Sequence, residues 1–154
     1  MWKWISYLST SAPNVVFNKL EDWTKRPEEG IKYYSGTATY CKTFDLPKSL
    51  AATQSSSPIY LDLGTVKDLA EVRLNGKRLG VIWTAPWRID IRGAVKEQGN
   101  ELEIDVVNQW PNRLIGDSRL PADKQLTKSN YKLKPDDPLV PSGLLGPVTL
   151  QVEE

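Results

Sequence analysis

Between Asn108 and Asp117 the chain reads N-Q-W-P-N-R-L-I-G-D, and this stretch holds the densest chemistry in the sequence. An amide, a guanidinium and a carboxylate (Asn112, Arg113, Asp117) fall within six residues, directly after Trp110-Pro111. Apolar Leu114 and Ile115 sit between them. Sugars present apolar C–H faces that stack on aromatic rings, and hydroxyls that pair with forked donors and acceptors. Exposed Trp beside Arg, Asn and Asp is the set such a ligand needs. Similar material recurs at Trp83 and at Trp87-Arg88, both at expected strand ends or in the loops that follow. The candidate carbohydrate-binding set is therefore Trp83, Trp87, Arg88, Trp110, Asn112, Arg113 and Asp117. The same tryptophans would equally plug the ends of a sandwich. They would also suit a rim that docks onto a neighbouring domain, where Trp and Arg are enriched. Three uses stay open.

Glycoside hydrolysis by this chain would need two carboxyl groups about 5–5.5 Å apart for retention, or about 6.5–9.5 Å apart for inversion. Asp90 and Asp105 read as residues of neighbouring strands, both pointing away from the apolar face. Solvated strand carboxylates paired with Arg88, Arg73 or Lys77 are the expected reading. No catalytic residue is assigned. The chain has no histidine, which excludes Ser-His-Asp and Cys-His nucleophiles and any zinc site with a histidine ligand. A single cysteine, Cys41, rules out an internal disulfide and reads as a small, partly buried thiol.

These side chains need a scaffold, and composition supplies its class. With 154 residues, 40% hydrophobic and 25% charged, the chain suits one soluble domain with a real core. Twenty basic and 19 acidic residues leave a net charge of +1. Nucleic acid and anionic membrane are not the expected partners, since no basic block is present. No run is long enough to cross a bilayer, and Met1 to Leu8 is too short and polar for a signal peptide. Localisation is not written in this chain.

Along the chain, period-two alternation dominates. Trp2 to Tyr7 reads as a strand that starts almost at the first residue, an abruptness expected of a segment of a longer polypeptide. Ser9 to Asn14 reads as a loop, Val15 to Phe17 as a short strand. Leu20 to Trp23 suits one helical turn capped by Asn18 and ended by Pro27 to Gly30. Tyr33 to Leu46 is a long strand, with Gly36 marking a bulge or close backbone approach. Ala51 to Pro58 is a small, polar loop. Ile59 to Gly64 alternates with Ile59, Leu61 and Leu63 inward; Ala70 to Leu74 runs into Asn75-Gly76, a strong hairpin signal. Val81 to Trp83, Arg88 to Ile91, and Glu101 to Asn108 (Leu102, Ile104, Val106 inward) follow. Arg119 to Leu139 has no clear structure and reads as a functional or surface-hugging loop. The chain ends with Ser142 to Pro147, then a last strand, Val148 to Val152. No amphipathic helix of normal length is expected. Seven or eight short strands make an all-β sandwich, most simply a jelly roll, over residues 1–154.

Several motifs occur together and in order: Y-Y-S-G-T-A-T-Y-C-K-T-F (Tyr33 to Phe44), Y-L-D-L-G (Tyr60 to Gly64) and A-E-V-R-L-N-G-K-R-L-G-V-I-W (Ala70 to Trp83). A-P-W-R-I-D-I (Ala85 to Ile91), N-Q-W-P-N-R-L-I-G-D and S-G-L-L-G-P-V (Ser142 to Val148) complete the set. From Trp2 onward the chain resembles the C-terminal β-sandwich of glycoside hydrolase family 106, the α-L-rhamnosidases. More loosely it resembles the sugar-binding sandwich of family 2 glycosidases and galactose-binding-domain-like jelly rolls. The resemblance implies a bacterial parent enzyme, periplasmic or secreted, that removes terminal L-rhamnose from plant polysaccharides or glycosides. It also implies that the catalytic carboxylates sit in a separate barrel, of which this chain has no trace. The implied role is a non-catalytic carbohydrate-binding module; the alternative is a structural domain that packs on the barrel without touching sugar. The partners are then a rhamnose-containing glycan or the catalytic domain. Such jelly rolls often hold a structural Ca²⁺, for which Asp117, Asp123 and Asp136-Asp137 are the available oxygens. Their spacing matches no calcium loop, so no cofactor is expected.

Overall fold

The computed structural model describes residues 2–6, 15–52 and 57–152. Among these, eleven strands alternate with short helical turns. They are β1 (Trp2–Ser6), β2 (Val15–Phe17), β3 (Thr37–Phe44), β4 (Ile59–Asp62), β5 (Thr65–Lys67), β6 (Leu69–Leu74), β7 (Lys77–Ile82), β8 (Arg88–Asp90), β9 (Asn100–Val107), β10 (Gly143–Gly146) and β11 (Thr149–Val152). The helices are α1 (Glu29–Lys32), α2 (Lys48–Ala51) and α3 (Pro111–Ser118), with 3-10 turns at Trp23–Lys25 and Ala122–Lys124. The loop expected at Ser9 to Asn14, and the centre of the one at Ala51 to Pro58, lie outside the described residues.

One layer is a six-stranded antiparallel sheet in the order β2-β1-β3-β9-β6-β7. The facing layer consists of β11-β4-β8 and the pair β10-β5. Alternation decides which side of each strand is dry. On β9, Leu102, Ile104 and Val106 are buried while Glu101 and Glu103 are exposed. On β4 and just beyond it, Ile59, Leu61 and Leu63 face the same interior. The core lies between the layers, joining Tyr40, Val72, Leu74 and Ile104 to Leu61, Val66, Ile91 and Leu144. Each such side chain contributes about 1.5–3 kcal/mol by leaving water. The expected β-sandwich of the galactose-binding-like type is the fold.

At Asn75-Gly76, φ values of 53° and 77° put both residues in the left-handed region, as a tight turn with a right-handed strand twist requires. The register Leu74↔Lys77 follows from it. At this end of the sandwich the Asn75 amide bonds the Ala94 carbonyl, and buried Asn100 takes the Lys96 N–H and gives back to the Lys96 carbonyl. Two asparagines thus fasten the loops below the sheet.

Four expectations need correcting. The first helical turn lies at Trp23–Lys25, and Asp22 caps it by accepting from the Thr24 N–H at 2.9 Å. Asn18 stands too far upstream to reach those amides. The segment expected to end this turn instead starts α1. The second is at Ser142 to Pro147, where no strand is expected and β10 forms by pairing with β5. Gly64 and Gly146 approach so closely there that a Cβ on Gly64 would fall 2.4 Å from the Gly146 carbonyl group. Third, Asp90 and Asp105 are not on neighbouring strands: β8 pairs with β4, whereas β9 lies between β3 and β6. Asp105 accepts from Thr39 and pairs with Arg73, as expected of a strand carboxylate; Asp90 pairs with Arg92. The fourth concerns residues 111–118, which form a helix.

Candidate functional site

The N-Q-W-P-N-R-L-I-G-D stretch leaves β9 and coils into α3. Proline at the first helical position supplies a preset φ and loses no hydrogen bond there. Arg113 and Asp117 then stand one turn apart, at 2.9 Å, and steady the helix from its own surface. Ile115 and Gly116 face inward. A Cβ on Gly116 would sit 2.7 Å from that of Tyr33, so only glycine lets α3 lie this close to the end of α1.

Asn108, Asn112 and Asp117 turn their polar groups toward the protein. The Asn108 amide donates to the Tyr34 carbonyl and to Ser142 Oγ, and accepts from the Gly36 N–H. Asn112 is 1% exposed. Its amide donates to the Val140 carbonyl at 2.7 Å and to Ser142 Oγ at 3.0 Å, and accepts from the Val140 N–H at 2.8 Å. Asp117 accepts from the N–H groups of Leu126 and Thr127 and from the Thr127 hydroxyl. Burial alone would raise its pKa. The Thr127 hydroxyl, the Leu126 amide and the Arg113 charge outweigh that and hold the carboxyl below the usual range. Residues 119–142 are in this way strapped onto α3, at one end by Asp117 and at the other by Asn112.

Sequence reasoning missed the partners of this clasp. Ser142 donates its hydroxyl to Val140 and its N–H to Asp22, while its carbonyl accepts from the Trp23 N–H. Trp23 in turn donates its indole N–H to buried Tyr40. Asp22-Trp23 and Ser142-Gly143 are separated by about 120 residues in sequence, and no local pattern links them.

The tryptophans behave differently. Trp83 is 72% exposed and Trp110 63% exposed, so neither plugs the sandwich. Registers Ala70↔Ile82 and Leu69↔Val107 bring the ends of β7 and β9 to one end of the sheet. Two strand spacings separate them, roughly 10 Å. Trp87 lies in the β7–β8 crossover, half-buried and packed on the core. Arg88 places its guanidinium 4.7 Å above the Tyr60 ring, a cation–π contact between β8 and β4. The seven predicted residues therefore divide into two groups. Trp83 and Trp110, with Trp87 and Arg88 beside the first, offer a surface rim; Asn112, Arg113 and Asp117 build the helix and strap beneath.

Among the described residues, no group of three or more Cys, Asp and Glu side chains could hold a metal ion. No described helix is long and apolar enough to cross a membrane.

Comparison with known proteins places these features in a lineage. Residues 8–134 match the family model for the glycosyl hydrolase 2 galactose-binding domain-like family. The rhamnosidase from Novosphingobium sp. PP1Y has a solved structure that superimposes with a TM-score of 0.84 and 40% identity, covering 97% of this chain and 14% of that one. A protein of Formosa agariphila named "Putative beta-glucuronidase" is 43% identical across 90% of this chain and 14% of its own length. The β-glucuronidase of Ruminococcus gnavus shares the fold alone, at a TM-score of 0.56 and 19% identity over 70% of this chain and 20% of that one. The chain thus spans about a seventh of the first two proteins. The matching model describes an N-terminal type of domain from family 2, which corrects the C-terminal placement expected from the motifs and does not extend to family 106.

Proposed function

Because the chain belongs to the glycosyl hydrolase 2 galactose-binding domain-like family, we propose that it serves as a non-catalytic, carbohydrate-binding module of a larger glycoside hydrolase. The finer reading is a parent of the α-L-rhamnosidase kind, family 106 included, whose separate barrel cleaves terminal L-rhamnose. The identity of 40% to the Novosphingobium rhamnosidase supports it.

One observation carries the proposal: two tryptophans, Trp83 and Trp110, stand exposed beyond the same end of one sheet. Leaving large aromatics in water costs apolar hydration, which stacking on a pyranose face would relieve. Arg88 and the exposed Thr84 provide polar neighbours. A second reading rests on a different observation. Asn112 and Asp117 spend their polar groups inside, and Arg113 pairs with Asp117, so the rim is poorer in forked donors than a sugar site prefers. On that reading the tryptophans dock against the rest of the parent enzyme.

Calorimetry of the chain with L-rhamnose and rhamnose-bearing oligosaccharides tests the choice. The expected result is saturable heat that disappears in Trp83→Ala and Trp110→Ala. Absence of heat at millimolar sugar would sink the carbohydrate reading and leave docking.

A further inference from the structure

A cleft of about 380 Å³ opens between α1, α3 and the strap. Its walls combine apolar and cationic groups. Tyr33, Leu120 and Leu126 supply hydrophobic surface, and Gly30 and Gly116 complete the lining. Arg113, Arg119 and Lys124 line it as well, against a single acidic liner, Glu29. Among the described residues no carboxylate pairs with Arg119 or Lys124. Arg119 is held in place without being neutralised: Nη1 donates to the Pro135 carbonyl at 3.1 Å, and its guanidinium lies 5.8 Å from the Tyr33 ring centre. Arg113 spends Nη2 on Asp117, yet its buried Nε has no acceptor.

We propose that this cleft binds a pyranose bearing one carboxylate, a uronic acid residue of a glycan. The volume suits one sugar ring with its substituents. The Arg119 fork and the Lys124 ammonium match a carboxylate, Arg119 by paired planar hydrogen bonds. Leu120, Leu126 and the Tyr33 edge receive the ring's C–H face. Glu29, the one acidic liner, accepts from a hydroxyl and makes the site less favourable for a doubly charged anion. The tryptophan rim plays no part here, so the two proposals stand or fall separately.

The experiment is calorimetry of the whole chain at low salt with D-galacturonate and D-glucuronate, with D-galactose, D-glucose and acetate as comparisons. Saturable heat is expected for the uronates and not for the neutral hexoses or acetate. Each of Arg119→Gln and Lys124→Gln should weaken uronate binding roughly tenfold, whereas Lys96→Gln, at an exposed position outside the cleft, leaves it unchanged. Both cations are exposed, and melting curves check folding; if loss of the Pro135 contact unfolds Arg119→Gln, the Lys124→Gln variant decides. Equal heat from neutral hexoses, acetate binding as well as the uronates, unaltered affinity in Lys124→Gln, or no heat with either uronate would each overturn the proposal.

Discussion

The side-chain amide of Asn112 closes on both backbone polar groups of Val140, donating to its carbonyl at 2.7 Å and accepting from its N–H at 2.8 Å. This is the pairing one strand residue offers another, here supplied by a helix side chain. It fixes the end of the strap immediately before β10. Asn112→Ala removes these bonds together with the one to Ser142 Oγ, and leaves partly buried groups unanswered. A loss of roughly 2–4 kcal/mol is expected. Thermal melts should fall by about 10 °C for a chain of this size. Asn112→Asp should do no better, because a carboxylate cannot donate to the Val140 carbonyl. A melting temperature within a degree or two of the parent would show that the strap does not depend on this clasp.

The other end of the strap is pH-sensitive through Asp117. Its carboxyl titrates below the ordinary range when folded, so it holds fewer protons folded than unfolded as pH drops. The resulting stability is complete above the unfolded pKa of about 3.9 and is lost as pH falls through the lower folded value. Denaturant midpoints at pH 7 and near pH 3 should therefore differ more for the parent than for Asp117→Asn. Equal losses in the two proteins would contradict the assignment. Asp90, Glu28 and Glu71 are also lowered, each chiefly by hydrogen bonds from an arginine. Those pairs lie nearer to solvent and should contribute little.

How far the sequence foretells this molecule depends on the range of the interaction. Period-two alternation placed β4, β6 and β9 with their inward faces, and Asn75-Gly76 placed the hairpin. Both signals are local and backbone-driven. β5 and β10 escaped because runs of three or four residues carry little alternation, and only their mutual pairing makes them strands. α3 was legible and went unread: Pro111 at the first position and the Arg113–Asp117 spacing both announce a helix. The fate of the polar motif residues was not legible. Whether Asn112 faces solvent or Val140 depends on a strap that returns 28 residues later.

Trp83 and Trp110 should be dispensable for stability. With most of each indole in water, replacement by alanine removes little buried surface, and changes within about 0.5 kcal/mol are expected. Trp23 is the contrast. It is fully buried and donates to Tyr40, so Trp23→Ala should cost roughly 3–5 kcal/mol. Chemical denaturation of the three variants measures both effects. Strong destabilisation by Trp83→Ala would mean the indole packs within this chain, which would weaken its use as a stacking or docking surface.

Gly143 provides the sharpest test of how the core meets the clasp. Its φ of +104° is one that side-chain-bearing residues rarely adopt, and a Cβ there would lie 2.4 Å from Trp23 Nε1. The neighbour cannot easily yield. The indole N–H holds the Tyr40 hydroxyl at 2.6 Å, the Trp23 N–H holds the Ser142 carbonyl, and Tyr40 also accepts from the Leu144 N–H. Gly143→Ala should thus combine backbone strain with displacement of a buried ring, a loss of about 4 kcal/mol or more. Gly76→Ala separates the two contributions. Its φ of +77° is also positive, but nothing lies within 4 Å of the added Cβ. Only the strain should appear there, about 1–2 kcal/mol. Trp23→Phe adds a further check, since a smaller ring without the N–H makes room for the methyl group. The double variant Trp23→Phe, Gly143→Ala should then be less destabilised than the sum of its parts. Strict additivity would place the cost of Gly143→Ala in the backbone and not in the indole.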